Sequence, residues 1–273
     1  MSRQKLALSG LAALVLLVVA FSLPPVRAAA SDFLGLFRVQ KFAAISISPQ
    51  QMALLEEIAE EGLYPGEFQS IEDPGRPQEV ASLPEATAQT GNSVRTIAGR
   101  DAPSRIQVTG AGSGRLIVDV DQARRILRAA DVDPALLPDS LDGAEVDVTI
   151  FPAVEQRWSD GVTLMQSESP LIDYPDDVDP TVLGQALLQM LGMSEAEAQR
   201  LSASIDWSST LLLPVPENIA TFSEVTVDDV SALALSSVDG GESSLIWQKD
   251  GAIYVLVGPN TPAELQQMAE AVE

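Results

Sequence analysis

Apolar residues recur at helical spacing in several segments of the chain. Residues 48–63 place Met52, Leu55 and Ile58 on one stripe of a helix, with glutamates on the other side. Further helices are predicted from the same period and from N-terminal capping boxes, in residues 82–91, 119–134, 179–203 and 261–273. The chain is therefore predicted to carry several amphipathic helices that cover a core.

Alternating apolar and polar residues predict strands elsewhere. In residues 144–151, Val146, Val148 and Ile150 alternate with polar residues, which is typical of a strand with one face in water. The last third reads mostly as strand, and residues 249–251 (Lys-Asp-Gly) join the final two strands as a hairpin. Because strands and helices come in clusters, we predict an α+β fold. It has a mainly antiparallel sheet, with a half-barrel as one form of it, and helices packed on one face.

The first residues pose a question of location. Leu6 to Leu23 is a run of 18 residues without a charge, and a helix of that length spans about 27 Å, close to the thickness of a hydrocarbon core. Basic residues before the run, and small residues around Arg27, also fit a signal peptide cleaved near Ala28. The run is long for a signal peptide, and apolar and basic residues follow it directly. We therefore expect a retained single-pass anchor, with secretion after cleavage as the alternative.

These patterns divide the chain into four predicted parts. They are a short cytoplasmic tail (1–5), a transmembrane helix or uncleaved signal anchor (6–24), a juxtamembrane segment (25–49) and an extracytoplasmic α+β domain (50–273). Within the domain, prolines and glycines in residues 64–81 predict an irregular connection.

Charge changes the picture of the partners. The formal net charge is −23. Residues 1–49 hold five basic side chains against one acid, which gives +4 and leaves −27 for the remainder. Nucleic acid and anionic lipid repel a domain this acidic. We therefore expect neither as its partner. The expected contact with the cell membrane is the N-terminal helix.

Histidine and cysteine are both absent from the sequence. Disulfides, Cys/His zinc sites and the Ser-His-Asp and Cys-His nucleophile systems are thereby excluded. We identify no catalytic constellation and no cofactor motif, and we predict that the chain is not an enzyme.

Two clusters resemble binding motifs. Four aspartates, Asp173, Asp176, Asp177 and Asp179, offer hard oxygen ligands for calcium, but the glycine and terminal glutamate of an EF-hand loop are missing. An exposed acidic loop with Asp179 capping a helix is the expected role. Glycine-rich residues 109–115 (TGAGSGR) lead into a strand rather than a helix, which indicates a turn and not a phosphate loop.

Trp247 and Tyr254 are expected to be cross-strand packing partners rather than a binding platform.

Two segments carry a resemblance to a known family. "SSLIWQKDGAIYVLVGPNTPAELQQMAEAV" and "EVASLPEATAQTGNSVRTI" resemble a bacterial extracytoplasmic domain of unknown function, found on the outer side of some membrane-anchored anti-sigma factors and in related uncharacterised membrane proteins. The resemblance implies a strand near Val94 to Ile97, an exported location and a regulatory role. Only about five residues precede the apolar run, and we expect no direct sigma-factor binding by this chain.

Together these observations predict a non-enzymatic, membrane-anchored extracytoplasmic domain that acts in envelope sensing or regulation through protein–protein contacts. The alternative is an exported carrier that holds an apolar ligand or lipid in a half-barrel. A purely structural envelope protein is a third possibility, which the sequence does not separate from the first. A continuous apolar concavity lined by strands at residues 209–215, 231–236 and 252–257 would favour the carrier.

Overall fold

A computed structural model describes residues 37–173, 179–207 and 209–273. The described part of the chain is α+β, with mostly antiparallel sheets, and this confirms the predicted fold class. The six α-helices in these ranges are α1 (Pro49–Glu60), α2 (Leu83–Thr90), α3 (Val120–Ala129), α4 (Pro180–Met190), α5 (Glu195–Ser202) and α6 (Pro262–Glu270). Two 3-10 turns, Pro134–Leu136 and Asp139–Leu141, follow α3.

The helices begin where the capping residues predicted. Ser82 Oγ accepts the N–H of Glu85 at the start of α2, and Asp179 accepts the N–H of Thr181 at the start of α4. Full capping boxes open α5 and α6, at Ser194 and Thr261. Each cap satisfies backbone N–H groups that have no partner inside the helix.

Fifteen strands are described. They are β1 (Phe37–Arg38), β2 (Lys41–Ile47), β3 (Gly66–Glu72), β4 (Gln78–Val80), β5 (Arg105–Thr109), β6 (Gly112–Val118), β7 (Glu145–Ile150), β8 (Ala153–Arg157), β9 (Thr163–Glu168), β10 (Leu171–Asp173), β11 (Thr210–Pro216), β12 (Ala220–Val227), β13 (Val230–Ser237), β14 (Ser243–Lys249) and β15 (Ala252–Gly258).

The strands form three sheets. An eight-stranded antiparallel sheet has the order β12-β13-β14-β15-β9-β8-β5-β4, and a five-stranded antiparallel sheet has the order β1-β10-β7-β6-β3. The third sheet pairs β11 with β2 in parallel. Consecutive strands β5 and β6 belong to different sheets, so the glycine-rich turn between them is a crossover and not a hairpin.

Helices cover these sheets in two places. On one face of the eight-stranded sheet, α6 packs over β12 to β15 and α2 packs over β4, β5 and β8. The helices α1, α3, α4 and α5 form a separate cluster around the two-stranded sheet, where Trp207 and Leu212 are buried. The sequence had predicted that all helices pack on one face of the sheet, and the separate cluster shows that this prediction was wrong.

The segment predicted as an irregular connection, residues 64–81, contains two strands. β3 and β4 occupy most of it, and the prolines and glycines stand at their ends: Pro65 precedes β3, and Pro74 with Gly75 separates the two strands. Gly75 has a φ of 73°, which suits glycine in a turn. The prediction was wrong because the prolines and glycines at the strand ends were taken as evidence that the whole segment lacks strands.

The boundary predicted at residue 50 is also corrected. Residues 37–47 belong to the folded body, because β1 pairs with β10 and β2 pairs with β11. Val39 and Ile47 are each 1% exposed. From Phe37 onward the predicted juxtamembrane segment thus belongs to the folded body, with Val39, Ile45 and Ile47 buried, because β2 finds a parallel partner in β11.

The strand implied near Val94 to Ile97 is an extended segment with one isolated bridge, between Ile97 and Val272. Thr96 and Glu273 exchange backbone hydrogen bonds of 3.0 Å beside it. The segment therefore ties the end of the chain to the eight-stranded sheet without extending any strand.

Candidate interaction surface

The predicted site residues are spread over the fold. Asp173 ends β10 and Asp179 caps α4, while Asp176 and Asp177 lie outside the described residues. Within the ranges that the structure describes, no group of three or more acidic side chains is placed to hold a metal ion. The described aspartates therefore give no support to the calcium alternative.

The predicted anchor, Leu6 to Leu23, also lies outside the described residues. Among the helices of residues 37–273 that are described, none combines the length and the apolar character needed to cross a bilayer.

Trp247 and Tyr254 face each other across the β14–β15 hairpin. Their rings stack with centroids 5.1 Å apart, and the two side chains are 2% and 3% exposed. Arg95 lies over the tyrosine ring, 5.9 Å from its centroid, and binds Asp250 at 2.8 Å. The pair is part of the core, which confirms the packing role that the sequence predicted.

The surface with the most exposed large apolar side chains follows β3, an outer strand of the five-stranded sheet. Every residue of β3 after Gly66 is exposed. The side chains of Phe68 and Ile71 are 61% and 63% exposed, and Tyr64, just before the strand, is 54% exposed. Exposed aromatic and aliphatic residues so close together are unusual for a surface that faces only water.

The pairing of β3 with β6 determines which backbone groups are free. The N–H of Asp119 donates to Pro65 O at 2.9 Å, and the register then places Phe68 opposite Leu116 in a non-hydrogen-bonded pair. By the alternation of an antiparallel ladder, Glu67 and Gln69 bond to β6. The N–H and C=O groups of residues 66, 68 and 70 point instead away from β6, toward an edge beside which no described strand lies; we call it the open edge.

Two glycines of β6 make room for large side chains on this sheet. A Cβ at Gly114 would lie 2.4 Å from Cζ of Phe68, so the ring lies directly over the glycine. A Cβ at Gly112 would lie 3.2 Å from Cδ1 of Ile150 and 2.9 Å from Cδ of Pro74. Ile150 is 43% exposed. Phe68, Gly114, Gly112, Ile150 and Pro74 thus form one continuous band, which we call the apolar strip.

Apart from Ile117, which pairs with Glu67 and Glu145, the paired residues on the opposite face of the same strands are polar. Arg115 binds Asp147 through Nε at 2.6 Å and Nη2 at 2.8 Å, and Nη1 binds Glu145 at 2.6 Å. These hydrogen bonds hold the pKa of the Asp147 carboxyl below its ordinary value, and Asp147 raises the pKa of Arg115 in return. On β3, β6 and β7 this face has one guanidinium and four carboxylates, those of Glu67, Glu72, Glu145 and Asp147. Its formal charge on these strands is therefore −3.

The cluster of helices α1, α3, α4 and α5 contains a cleft. It has a volume of about 490 Å³ and lies where the ends of α3 and α4 approach the starts of α1 and α5. Asp131, Asp133 and Glu195 line it together with the amides of Gln51 and Gln189. Its polar, acidic walls do not suit an apolar ligand.

Sequence reasoning missed the β3 surface entirely. The signal was present in "GEFQSIE", where Phe68 alternates with Glu67 and Gln69, and in the Gly-x-Gly of residues 112–114. The neighbouring prolines concealed the strand, and the glycines were considered only as a possible phosphate loop.

No known protein-family model matches this chain, and the curated proteins contain no significant match to it. The resemblance to the extracytoplasmic domain of membrane-anchored anti-sigma factors therefore stays a prediction.

Proposed function

We propose that this chain is a membrane-anchored extracytoplasmic domain that acts without catalysis, in envelope sensing or regulation, through contacts with another protein. The observation that supports it best is the apolar strip beside the open edge of β3. Contiguous exposed apolar residues around an aromatic ring are typical of protein interfaces, whereas singly exposed ones are ordinary. The absence of histidine and cysteine from the sequence supports a non-catalytic role.

The outer strand β12 of the eight-stranded sheet differs from β3 in its exposed residues. On β12, an outer strand of the eight-stranded sheet, the exposed positions are polar: Thr221, Ser223, Glu224 and Thr226. Within the strands themselves β12 thus exposes polar side chains, as outer strands of soluble proteins ordinarily do, whereas β3 exposes Phe68 and Ile71. The exposed apolar residues near β12, Ile219 and Val238, lie just beyond the ends of β12 and β13.

The alternative, a carrier of apolar ligands, needs an apolar concavity between β11, β13 and β15. Leu212, Leu233 and Leu256 of these strands are between 0% and 4% exposed, packed against other side chains. β11 also belongs to a different sheet from the other two strands. The described geometry therefore favours the contact function over the carrier.

Site-specific crosslinking tests the contact function. A photoreactive phenylalanine analogue replaces Phe68 in the full chain, expressed in its native membrane, and the same analogue replaces Thr221 as a control on β12. We expect one discrete protein adduct at position 68, reduced by Ile150→Asp and missing at position 221. Equal adducts at both positions, or none at position 68, would refute the proposal.

The location is tested separately. We propose that residues 6–24 remain as a transmembrane helix with the domain on the outer side of the cell membrane. The intact mass of the mature protein, extracted from membranes, should include Met1 or Ser2. A terminus at Ala29 would show that the segment is a cleaved signal peptide and that the domain is released.

A further inference from the structure

We propose that the open edge of β3 binds an extended segment of the partner protein, one in which apolar and basic residues alternate. The bound segment adds a sixth strand to the five-stranded sheet. This inference rests on the proposed contact function and specifies the class of partner.

The backbone supplies the first argument. Residues 66, 68 and 70 direct three N–H and three C=O groups at the open edge, since Glu67 and Gln69 bond to β6. An extended chain beside β3 satisfies these groups with regular ladder hydrogen bonds, which is the common mode of peptide recognition by sheet edges.

The apolar strip supplies the second argument. In a strand beside β3, residues facing the same side as Phe68 lie next to its exposed ring. Phe68 already covers Gly114 and leaves 61% of its surface in water. Apolar side chains on alternate residues of the bound segment remove that surface from water, which favours binding.

The charge of the other face supplies the third argument. The remaining residues of the bound segment lie beside Glu67 and Glu72, on the face whose three strands carry a formal charge of −3. Arg115 is engaged by Asp147 and Glu145, so it does not neutralise the glutamates of β3. Lysine or arginine at these positions complements the face, and an acidic residue there is repelled.

The same charge argues against a second copy of this chain. Pairing two β3 strands would bring the glutamates of both copies onto one face of the joined sheet, and each body carries a large negative charge. The occupant is therefore a segment of a different protein.

Binding of a synthetic peptide tests the inference. The probe is acetyl-Lys-Val-Lys-Val-Lys-Val-Lys-amide, added to the full chain in mild detergent. The controls are the same peptide with glutamate for lysine, and a peptide of equal composition with its lysines and valines in separate blocks. Affinity is measured by calorimetry, and amide hydrogen exchange of β3 is measured at residue level. We expect only the alternating lysine peptide to bind and to protect the amides of residues 66, 68 and 70.

Three variants sharpen the test. Glu67→Lys with Glu72→Lys should weaken the lysine peptide about 2- to 30-fold, since each exposed ion pair contributes a few tenths to one kcal/mol, and should favour the glutamate peptide. Glu56→Lys with Glu60→Lys, on the outer face of α1, changes the net charge equally and should leave affinity unchanged. Ser70→Pro removes one outward N–H while Glu67 and Gln69 keep their bonds to β6, and it should weaken binding if circular dichroism shows a native fold.

Several results would overturn the inference. They are equal weakening by the α1 pair of substitutions, binding without protection of β3, and a self-association of the full chain that Phe68→Asp abolishes. A discrete crosslink at position 68 with no peptide binding would leave the contact function standing and refute strand addition alone. Failure of both experiments would refute both proposals.

Discussion

Replacing Gly184 with alanine tests how the helical cluster is fixed. Gly184 lies in α4 against Trp207, whose indole is 3% exposed. A Cβ at this position would lie 2.2 Å from both Cε2 and Cζ2 of the indole. The ring is held in place, because its Nε1 donates to Ser202 O at 2.9 Å. The added methyl group therefore meets a rigid neighbour.

Two effects of opposite sign determine how much Gly184→Ala changes the free energy of unfolding. Alanine is better than glycine in a helix interior by about 1 kcal/mol. Overpacking a tight core costs about 1–3 kcal/mol, and occasionally more. A contact at 2.2 Å overlaps the normal carbon–carbon separation by more than about 1 Å, so we take the upper part of that range. The net expectation for Gly184→Ala is a loss of about 1–2 kcal/mol in the free energy of unfolding.

Guanidinium unfolding of the full chain in mild detergent, followed by circular dichroism, measures this loss. Gln185→Ala in the same helix is the control and should change stability by less than about 0.5 kcal/mol. Trp207→Leu destabilises by itself, but in the Gly184→Ala background its cost should be smaller, because the two changes relieve each other. A higher stability for Gly184→Ala would refute the reasoning, since helix propensity would then have outweighed the clash.

Three further predictions concern single contacts. Because Arg115 lowers the pKa of Asp147, their contact stabilises the fold above the ordinary pKa of aspartate, and this stabilisation is lost as the pH falls through the lowered pKa. In Asp147→Asn the free energy of unfolding, measured with urea, should therefore fall less over this pH range, by roughly 0.2–1 kcal/mol. Burial raises the pKa of Tyr254, so the fold should lose stability as the pH rises through the ordinary pKa of tyrosine, and an alkaline absorbance titration of the wild type and Tyr254→Phe should show one phenol that ionises late. Thr261→Ala should cost about 1 kcal/mol in thermal unfolding because the N–H of Glu264 loses its cap, whereas Thr261→Ser should keep most of it.

The sequence predicted the parts of the fold that depend on local rules. Capping at Ser194 and Thr261, and the hairpin at Asp250, follow from side chains that bond to their own neighbours in sequence. The alternation in β7 was confirmed for Val146 and Val148, which pack in the core, but not for Ile150, which belongs to the same alternation and is 43% exposed.

Apart from the prolines and glycines that concealed β3 and β4, the errors concern partners that are distant in sequence. β2 could be recognised as a strand only from its parallel neighbour β11, which lies about 170 residues later in the sequence. Among the described strands β3 has a single neighbour, β6, so few of its residues are buried and its pattern of burial is weak. No local rule shows that β5 and β6 belong to different sheets, and so the helix faces could not be assigned.

The candidate site was missed for a related reason, and the two glycines of β6 explain it. Gly112 and Gly114 have the spacing of a phosphate loop, and rejecting that motif left them with no function beyond a turn. In the folded chain they form the floor on which Phe68 and Ile150 lie, and any larger residue would raise these side chains off the sheet. Gly114→Val should therefore displace the Phe68 ring while leaving the β3 backbone paired. If the partner binds the apolar strip as a flat surface beside the β3 edge, Gly114→Val should weaken the contact as much as Phe68→Ala does.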